Sequence, residues 1–491
     1  MNQDSYTKDR EDLARIIDIG QDGEGIGKAL QEDGTTDGFT LFIKDALVGD
    51  EVRAKIMKAK KGYAFARLME VVKPGPGRIQ PPCPIARACG GCQIQALSYD
   101  RQLAFKQAKV RNDLVRIGGF EADEIDRLMR PIVGMEEPYR FRNKAQVPFS
   151  EKNGKVVYGY YAGRTHSVIP MEDCLIGYEG CGRILDTVRS WMETYHVPAY
   201  REEDGTGLVR HVLIRNGVRS KEVMVCLVTN GRDLPHREVL VKALTQLPGV
   251  VSVVQSINRD RTNVILGREI RTLAGKDSIR DTLRILDVVH TEDGTEFVPR
   301  VKEDGGEAAV SFDISPLSFY QVNPKQTEKL YSLALEAADL TGTETVWDVY
   351  CGVGTISLFL AGSAGSVFGV EIVERAVEDA RRNAEANGIQ NVRFVAGKAE
   401  EVLPAFVRKQ EDSHVDVVVV DPPRKGLDAA CIGAILGAAP ERIVYVSCDP
   451  ATLARDLRSF ADGGYILKSV QPVDQFGHSI HVETVVLISR A

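Results

Sequence analysis

Three residues stand where an apolar run gives way to a loop, and their types suit covalent acid–base chemistry. Arg442-Ile-Val-Tyr-Val-Ser447 reads as a buried strand, and Cys448-Asp449-Pro450 follows it. Val415–Val420 ends in Asp421-Pro422-Pro423-Arg424-Lys425-Gly426. Phe476–Leu487 reads as the last strand, with Glu483 its one carboxylate. A thiolate can add to an electron-poor carbon, and a partly desolvated carboxylate can take up the proton that must leave later. The helix expected from Pro450 would lower the thiol's pKa through its unpaired N–H groups. Each acid also has a plain reading, Asp421 as a helix cap and Glu483 as an edge-strand ion-pair partner.

The second ingredient is a glycine loop. Thr345–Tyr350 reads as a buried strand running into Cys351-Gly352-Val353-Gly354-Thr355 and the apolar helix 356–361. Such a loop lets a ligand approach the backbone at the carboxyl edge of a parallel sheet. Ser366–Val370 follows as the next strand and ends in Glu371, 21 residues after Tyr350, placed to hold ribose hydroxyls. Ser357 stands where a dinucleotide fingerprint needs glycine, which favours S-adenosyl-L-methionine (SAM) over a dinucleotide. A methyl donor beside a thiol points to C5 of a pyrimidine. Thiolate addition to C6 makes C5 nucleophilic, and a separate base must then remove the C5 proton. Cys448 is the expected nucleophile, Glu483 the base, and Asp421 sits where the acceptor base would lie.

A third group is Cys83-Pro-Ile-Ala-Arg-Ala-Cys89-Gly-Gly-Cys92, with Cys174 the best candidate for a fourth ligand. Four thiolates suit tetrahedral zinc or an iron–sulfur cluster. Cys181, Cys226 and Cys431 read as small buried hydrophobes.

The elements that must position these groups fill a chain of 491 residues, enough for about three domains. The composition, 43% hydrophobic and 27% charged, excludes wholesale disorder. No run is apolar enough to span a bilayer, and Met1–Asp12 lacks the features of a secretory signal, so a soluble intracellular protein is expected. Leu13–Ile19, Phe39–Ile43, Asp50–Met57 and Tyr63–Val72 are β-rich runs that suggest a five-stranded OB-like barrel. The proline-rich stretch 73–84 marks a boundary, and 99–117 reads as a helix. Residues 139–300 mix short strands with two helical stretches, and from about 323 the pattern is that of βαβ units. The net charge of −7 conceals two basic runs. Arg53–Arg78 holds eight basic residues against Glu70, and Tyr139–Thr165 holds six against Glu151. Tyr139, Phe141, Phe149, Tyr158, Tyr160 and Tyr161 lie in the second run, a mixture suited to phosphates and unpaired bases.

Over essentially its whole length the sequence resembles the RNA uracil-C5 methyltransferase family. The resemblance rests on Phe319-Tyr-Gln321-Val-Asn323, Asp348-Val-Tyr-Cys-Gly-Val-Gly354, Asp421–Gly426, Ser447–Leu457 and His481-Val-Glu483-Thr. It implies Cys448 as nucleophile and Glu483 as base. Gln321, Tyr350, Glu371 and Asp421 would line the SAM and uracil pocket, with Gly352, Gly354 and Thr355 in the cofactor loop. It also implies three segments: a TRAM RNA-binding barrel (8–72), an α+β central domain (73–310), and a Rossmann-like SAM-dependent catalytic domain (311–491). The helix 95–119 would pack on the last of these. Cys83, Cys89, Cys92 and Cys174 match the ligands of a [4Fe–4S] cluster found in a subset of the family. The implied substrate is 23S rRNA, with tRNA the alternative. The implied location is the cytoplasm, with no membrane and no obligate protein partner. Asp449 stands where many members have Asn, and Thr355 where some have Asn. The rival readings are an RNA-binding, cluster-based redox sensor without activity and an exocyclic amine methyltransferase, which would not need Cys448.

Overall fold

The computed structural model describes residues 6–20, 22–31, 33–163, 165–292, 294–409 and 414–491. Met1–Ser5 and Arg164, the last basic residue of the second run, lie outside the described residues. By internal packing the chain forms two compact units, which cut across the three expected segments. The first comprises Met1–Lys106, Tyr160–Met171 and Phe476–Ile480; the second comprises Gln107–Gly159, Glu172–Gln475 and His481–Ala491.

In the first unit, β1 (Glu11–Ile19), β2 (Gly25–Leu30), β3 (Thr36–Lys44), β4 (Glu51–Lys60) and β5 (Tyr63–Lys73) close a barrel in the order β1-β2-β3-β5-β4. Alternation along the strands sends Ile16, Leu41, Ile43, Val52, Ile56, Ala64 and Leu68 inward. The strand not read from sequence is β2, whose Gly25 and Gly27 weaken a strand pattern. A Cβ at Gly25 would stand 2.6 Å from the Ala46 carbonyl oxygen, so that glycine is a close approach within the barrel. Asp50 is fully buried, and Arg78 of the proline-rich segment reaches it at 2.7 Å. The Leu47 and Gly75 amides also donate to Asp50, at 2.8 Å each, so its charge is well compensated.

Helix α1 (Tyr99–Arg116) follows, its residues from Gln107 onward belonging to the second unit. Phe476–Val482 is not strand, contrary to the sequence reading. The Phe476 carbonyl accepts from Lys106 Nζ (2.9 Å), the His478 amide donates to Gln102 Oε1 (3.0 Å), and His478 has φ +65°. These backbone groups are spent on α1 and are lost to a sheet ladder.

The second unit contains α2 (Ala122–Leu128) and a mixed sheet. Its strands are β6 (Lys144–Lys152), β7 (Lys155–Tyr161, in this unit to Gly159), β9 (Val209–Asn216), β10 (Val223–Thr229), β11 (Val250–Ile257) and β12 (Glu269–Gly275). The order is β12-β11-β10-β9-β6-β7, and the helices are α3 (Cys181–Thr194) and α4 (Arg237–Thr245). β8 (Val168–Pro170) lies in the first unit. Four strands follow: β13 (Ile279–Arg284), β14 (Leu286–Thr291), β15 (Gly294–Pro299) and β16 (Ala309–Ile314). β13 pairs with β16 and β14 with β15, both antiparallel.

The remaining elements alternate as the sequence suggests. They are α5 (Pro324–Ala338), β17 (Thr345–Val349), α6 (Thr355–Ala361), β18 (Ser366–Glu371), α7 (Glu374–Ala386), β19 (Val392–Ala396), α8 (Ala399–Lys409), β20 (Val417–Val420), α9 (Ala429–Ala438), β21 (Arg442–Ser447), α10 (Pro450–Asp462), β22 (Tyr465–Val473) and β23 (Glu483–Arg490). The strand order is β19-β18-β17-β20-β21-β23-β22, parallel from β19 to β21 and antiparallel beyond. Strand order reverses between β17 and β20, which opens a crevice at the carboxyl ends of the strands. Period-two alternation puts Val346, Val417 and Val444 in one core, shared with Leu213, Met224 and Val254 of the mixed sheet. Trp347, Val418 and Tyr445 enter the opposite core, where Val110 and Leu114 of α1 also bury. The mixed sheet and the catalytic sheet thus share one core, which is why they form a single unit. No helix among the described residues is long and apolar enough to cross a membrane.

Candidate active site

The glycine loop turns sharply off β17. Tyr350, Gly352 and Gly354 have φ of +71°, +55° and +81°. A Cβ at Gly354 would stand 2.7 Å from the Phe394 ring and 3.1 Å from Ala380, so both backbone and space require glycine there. Glu371, at the tip of β18, accepts from the Gly352 amide at 3.2 Å and the Val373 amide at 2.8 Å. Val349 pairs with Val370 on one side and Val420 on the other, so Tyr350, Glu371 and Asp421 share the carboxyl edge.

Beneath the loop, Asp348 is fully buried and accepts from Ser357 Oγ at 2.5 Å. Burial raises its pKa to about 6. Desolvation, with Asp348's charge nearby, raises Asp421 to about 7. Tyr331, buried on α5, places its hydroxyl 3.2 Å from Thr355 Oγ1 and also bonds the Gln321 side chain. The Gln321 carbonyl accepts from Asn143 Nδ2 at 2.9 Å. Tyr331 thus links two expected cofactor residues. Its sequence signal was nil, because a tyrosine on an apolar helix face reads as core.

Cys448 and Glu483 come together through strand register. Ser447 of β21 pairs with Thr484 of β23, so the next residue out on each strand is the thiol on one and the carboxylate on the other. Glu483 is 3% exposed, and burial followed by the Asp421 charge pushes its pKa well up. The Cys448 thiol is raised to about 12 by desolvation, then by the charges of Glu483 and Asp421, against the opposing charge of Arg424. The expected activation by α10 is outweighed chiefly by burial, and the helix end is capped as well. Asp449 caps that helix, accepting from the Ala451 (3.1 Å) and Thr452 (3.0 Å) amides. Its carboxylate neutralises the helix end and adds a negative charge that raises the thiol further.

Helix α10 also holds the loop after Asp421. Thr452 Oγ1 donates to the Arg424 carbonyl (3.2 Å) and Arg455 Nη2 to that of Lys425 (2.9 Å). Buried Asp456 accepts from the Leu427 amide (2.8 Å) and the Tyr445 hydroxyl (2.7 Å). Arg424 Nη2 then lies 3.1 Å from His481 Nε2. Thr452, Arg455 and Asp456 were visible as part of a motif, but nothing in the sequence gave them this task.

Several relatives now bear on the chain. The family tRNA (Uracil-5-)-methyltransferase matches residues 303–491, and the TRAM domain matches 13–69. An uncharacterized RNA methyltransferase of Clostridium tetani is 44% identical over 475 residues, 96% of this chain and 95% of that one. One from Halalkalibacterium halodurans is 45% identical over 474 residues, with the same shares covered. The chain belongs to the RNA (uracil-5-)-methyltransferase family. Its fold also matches the crystal structure of Pyrococcus abyssi tRNA (uracil-54, C5)-methyltransferase in complex with S-adenosyl-L-homocysteine. That match has a TM-score of 0.71 at 25% identity and covers 97% of this chain and 100% of that one.

In this RNA methyltransferase the second basic run serves structure more than stacking. Phe141, Phe149 and Tyr158 are buried, and the Tyr158 hydroxyl donates to Asp186 at 2.7 Å. Arg140 is spent on Asp173 at 3.0 Å, and burial lowers Lys144 to about 8. Of the cysteines, Cys83, Cys89 and Cys92 belong to the first unit and Cys174 to the second, all four half-buried. The Cys174 carbonyl accepts from Arg140 Nη1 at 3.0 Å and from the Gly177 amide at 2.9 Å. Cys181, Cys226 and Cys431 are buried, with thiols raised to about 12, 12 and 11 by burial.

Proposed function

We propose that this enzyme methylates C5 of specific uridines in RNA, 23S rRNA first among them, through a covalent bond between Cys448 and C6. The observation that carries the reading is the pairing of Ser447 with Thr484, which brings a thiol and a buried carboxylate to the edge shared with Asp421. Gln321, Tyr350, Gly352, Gly354, Thr355 and Glu371 fit a SAM site: a loop pinched by glycine, with a carboxylate at the next strand tip. Bound SAM supplies an electrophilic methyl group on a cationic sulfur. A cation suits a site where burial, and then mutual like charge, raises Asp348, Asp421 and Glu483.

The protein's own steps follow. Cys448 gives its thiol proton to solvent and the sulfur bonds to C6, so the C5–C6 π pair moves to C5 and the exocyclic oxygen on C4. C5 takes the methyl group. Glu483 then removes the remaining C5 proton, the C6–S bond breaks, and the thiolate is restored. Asp421 lies where it can meet the polar edge of the base, on a loop held by α10.

RNA containing 5-fluorouridine tests this, because fluorine cannot leave as a proton. Incubation with SAM should yield a protein–RNA adduct that survives denaturation. A Cys448→Ala variant that still methylates RNA would overturn the reading. The same incubation separates this enzyme from an amine methyltransferase or an inactive RNA-binding sensor, neither of which forms an adduct.

A second substrate reading is tRNA. It is favoured by the Pyrococcus abyssi protein, a tRNA (uracil-54, C5)-methyltransferase by its description, whose whole length aligns. Mapping 5-methyluridine in both RNA classes from cells lacking the protein decides between them. The thiols Cys83, Cys89, Cys92 and Cys174 fit an all-cysteine [4Fe–4S] site with a structural role, in line with their half-burial. Iron and acid-labile sulfide content, and its loss in Cys89→Ser, check this. The segments 8–72, 73–310 and 311–491 are proposed as the RNA-binding, cluster-bearing and catalytic modules of a cytoplasmic enzyme.

A further inference from the structure

Helix α5 is a rigid mount for Tyr331. Asn323 caps the helix and donates to the Gln475 carbonyl (3.2 Å), Gln326 donates to the Asp474 carbonyl (3.0 Å), and Thr327 Oγ1 accepts from Gln475 Nε2 (2.8 Å). One turn further on, Tyr331 is 1% exposed, and its ring meets that of Phe359 on α6 edge-on, with centroids 5.4 Å apart. The hydroxyl reaches Thr355 Oγ1 at 3.2 Å and bonds the Gln321 side chain. Thr355 opens α6 directly after the φ +81° turn at Gly354, and both Thr355 and Gln321 are buried. Burial, then the charge of Asp421, raises the pKa of the Tyr331 hydroxyl, which therefore acts as a neutral hydrogen-bonding group.

Core packing accounts for the ring but not for the hydroxyl, since a phenyl group would fill the same space without a polar atom to desolvate. The two partners give the hydroxyl its purpose. A side-chain amide has a donor end and an acceptor end of nearly equal shape, and its torsion is soft, so a free glutamine presents either end to a ligand. The Gln321 backbone is already held, its carbonyl accepting from Asn143 Nδ2 at 2.9 Å. What is left to fix is the turn of the amide, and a hydrogen bond to a hydroxyl that must also meet Thr355 fixes it. We propose that Tyr331 is a positioning residue for SAM, its hydroxyl holding the Gln321 amide and the Thr355 hydroxyl in the orientation that the cofactor meets. This role presupposes that Gln321 and Thr355 line the SAM site, and it is independent of the route of methyl transfer.

Tyr331→Phe removes one oxygen and keeps the ring. Calorimetry on the full-length protein without RNA should show SAM and S-adenosyl-L-homocysteine each bound about tenfold more weakly. In steady-state assays the KM for SAM should rise by a similar factor, while the KM for RNA and kcat at saturating SAM stay within about twofold. In the ligand-free protein, amide hydrogen exchange should speed up across residues 351–355. A Thr355→Val background checks the route. There the added Tyr331→Phe change should cost less than about threefold in SAM affinity, because one of the groups that the hydroxyl holds is already gone. A lower Tm with unchanged SAM affinity would overturn the proposal and leave Tyr331 a packing residue. A full tenfold further loss in the Thr355→Val background would overturn it as well. If the parent protein bound neither ligand, the cofactor site itself would be misassigned and the positioning role would fall with it. Equal binding by parent and Tyr331→Phe overturns the positioning role alone.

Discussion

In the barrel, Lys44, Lys58, Lys60 and Arg67 stand exposed near open rings and form no ion pair among the described residues. At the carboxyl edge of the C-terminal sheet, Asp348 and Glu483 are buried and Asp421 half-buried, all with raised pKa values. The first arrangement leaves charge where it costs little and can be read by a polyanion through solvent. The second keeps like charges together in a poor dielectric, where each proton is held tightly until a cationic ligand arrives. The two regions thus sit in opposite electrostatic regimes, and substitutions should separate them.

The sharpest break is Cys448→Ala. Methylation should fall by at least about 10³-fold while RNA affinity stays within about twofold, measured by methyl incorporation and anisotropy. Glu483→Gln should slow turnover by roughly 10²–10⁴-fold and let a Cys448–RNA adduct build up on ordinary uridine RNA, visible on denaturing gels. Gly354→Ala places a Cβ against Phe394 at a φ of +81°. SAM affinity by calorimetry should drop about tenfold or more, with a lower Tm.

Asp421→Asn tests the buried acids through stability. A carboxyl raised in the folded state stabilises below its unfolded pKa of about 4, and that contribution is lost as pH rises through about 7. The variant should therefore melt several degrees above the parent at pH 8 and not at pH 4.5, while losing activity. The smallest effect belongs to Asp449→Asn. Removing that charge lowers the thiol's pKa, so iodoacetamide should alkylate Cys448 a few-fold faster at pH 8 in the free protein.

Legibility from sequence followed the range of the interaction. β17, β18, β20 and β21 could be read because each is a short apolar run ending in a residue of distinct chemistry. The turn at Phe476–Ile480 could not, because its partners Gln102 and Lys106 lie more than 300 positions earlier. The aromatics of 139–161 looked available, yet Phe141, Phe149 and Tyr158 are core, a distinction that depends on which sheet face each strand presents. The exposed aromatic rings lie instead in the first basic run. Period two puts Tyr63, Phe65 and Arg67 outside, but only the β3–β5 pairing adds Phe42. Asp449 was noted as a departure from Asn. Its capping of α10 adds one more negative charge to a thiol already raised chiefly by burial.

The raised thiol has one more consequence. With its pKa pushed up to about 12, chiefly by burial, the Cys448 sulfur is held as the thiol at neutral pH. Peroxides and other electrophiles consume thiolates, so an idle enzyme keeps its reactive atom chemically silent between encounters. Burial sets most of that reluctance, Glu483 and Asp421 come next, and the carboxylate that finishes α10 adds only the last increment.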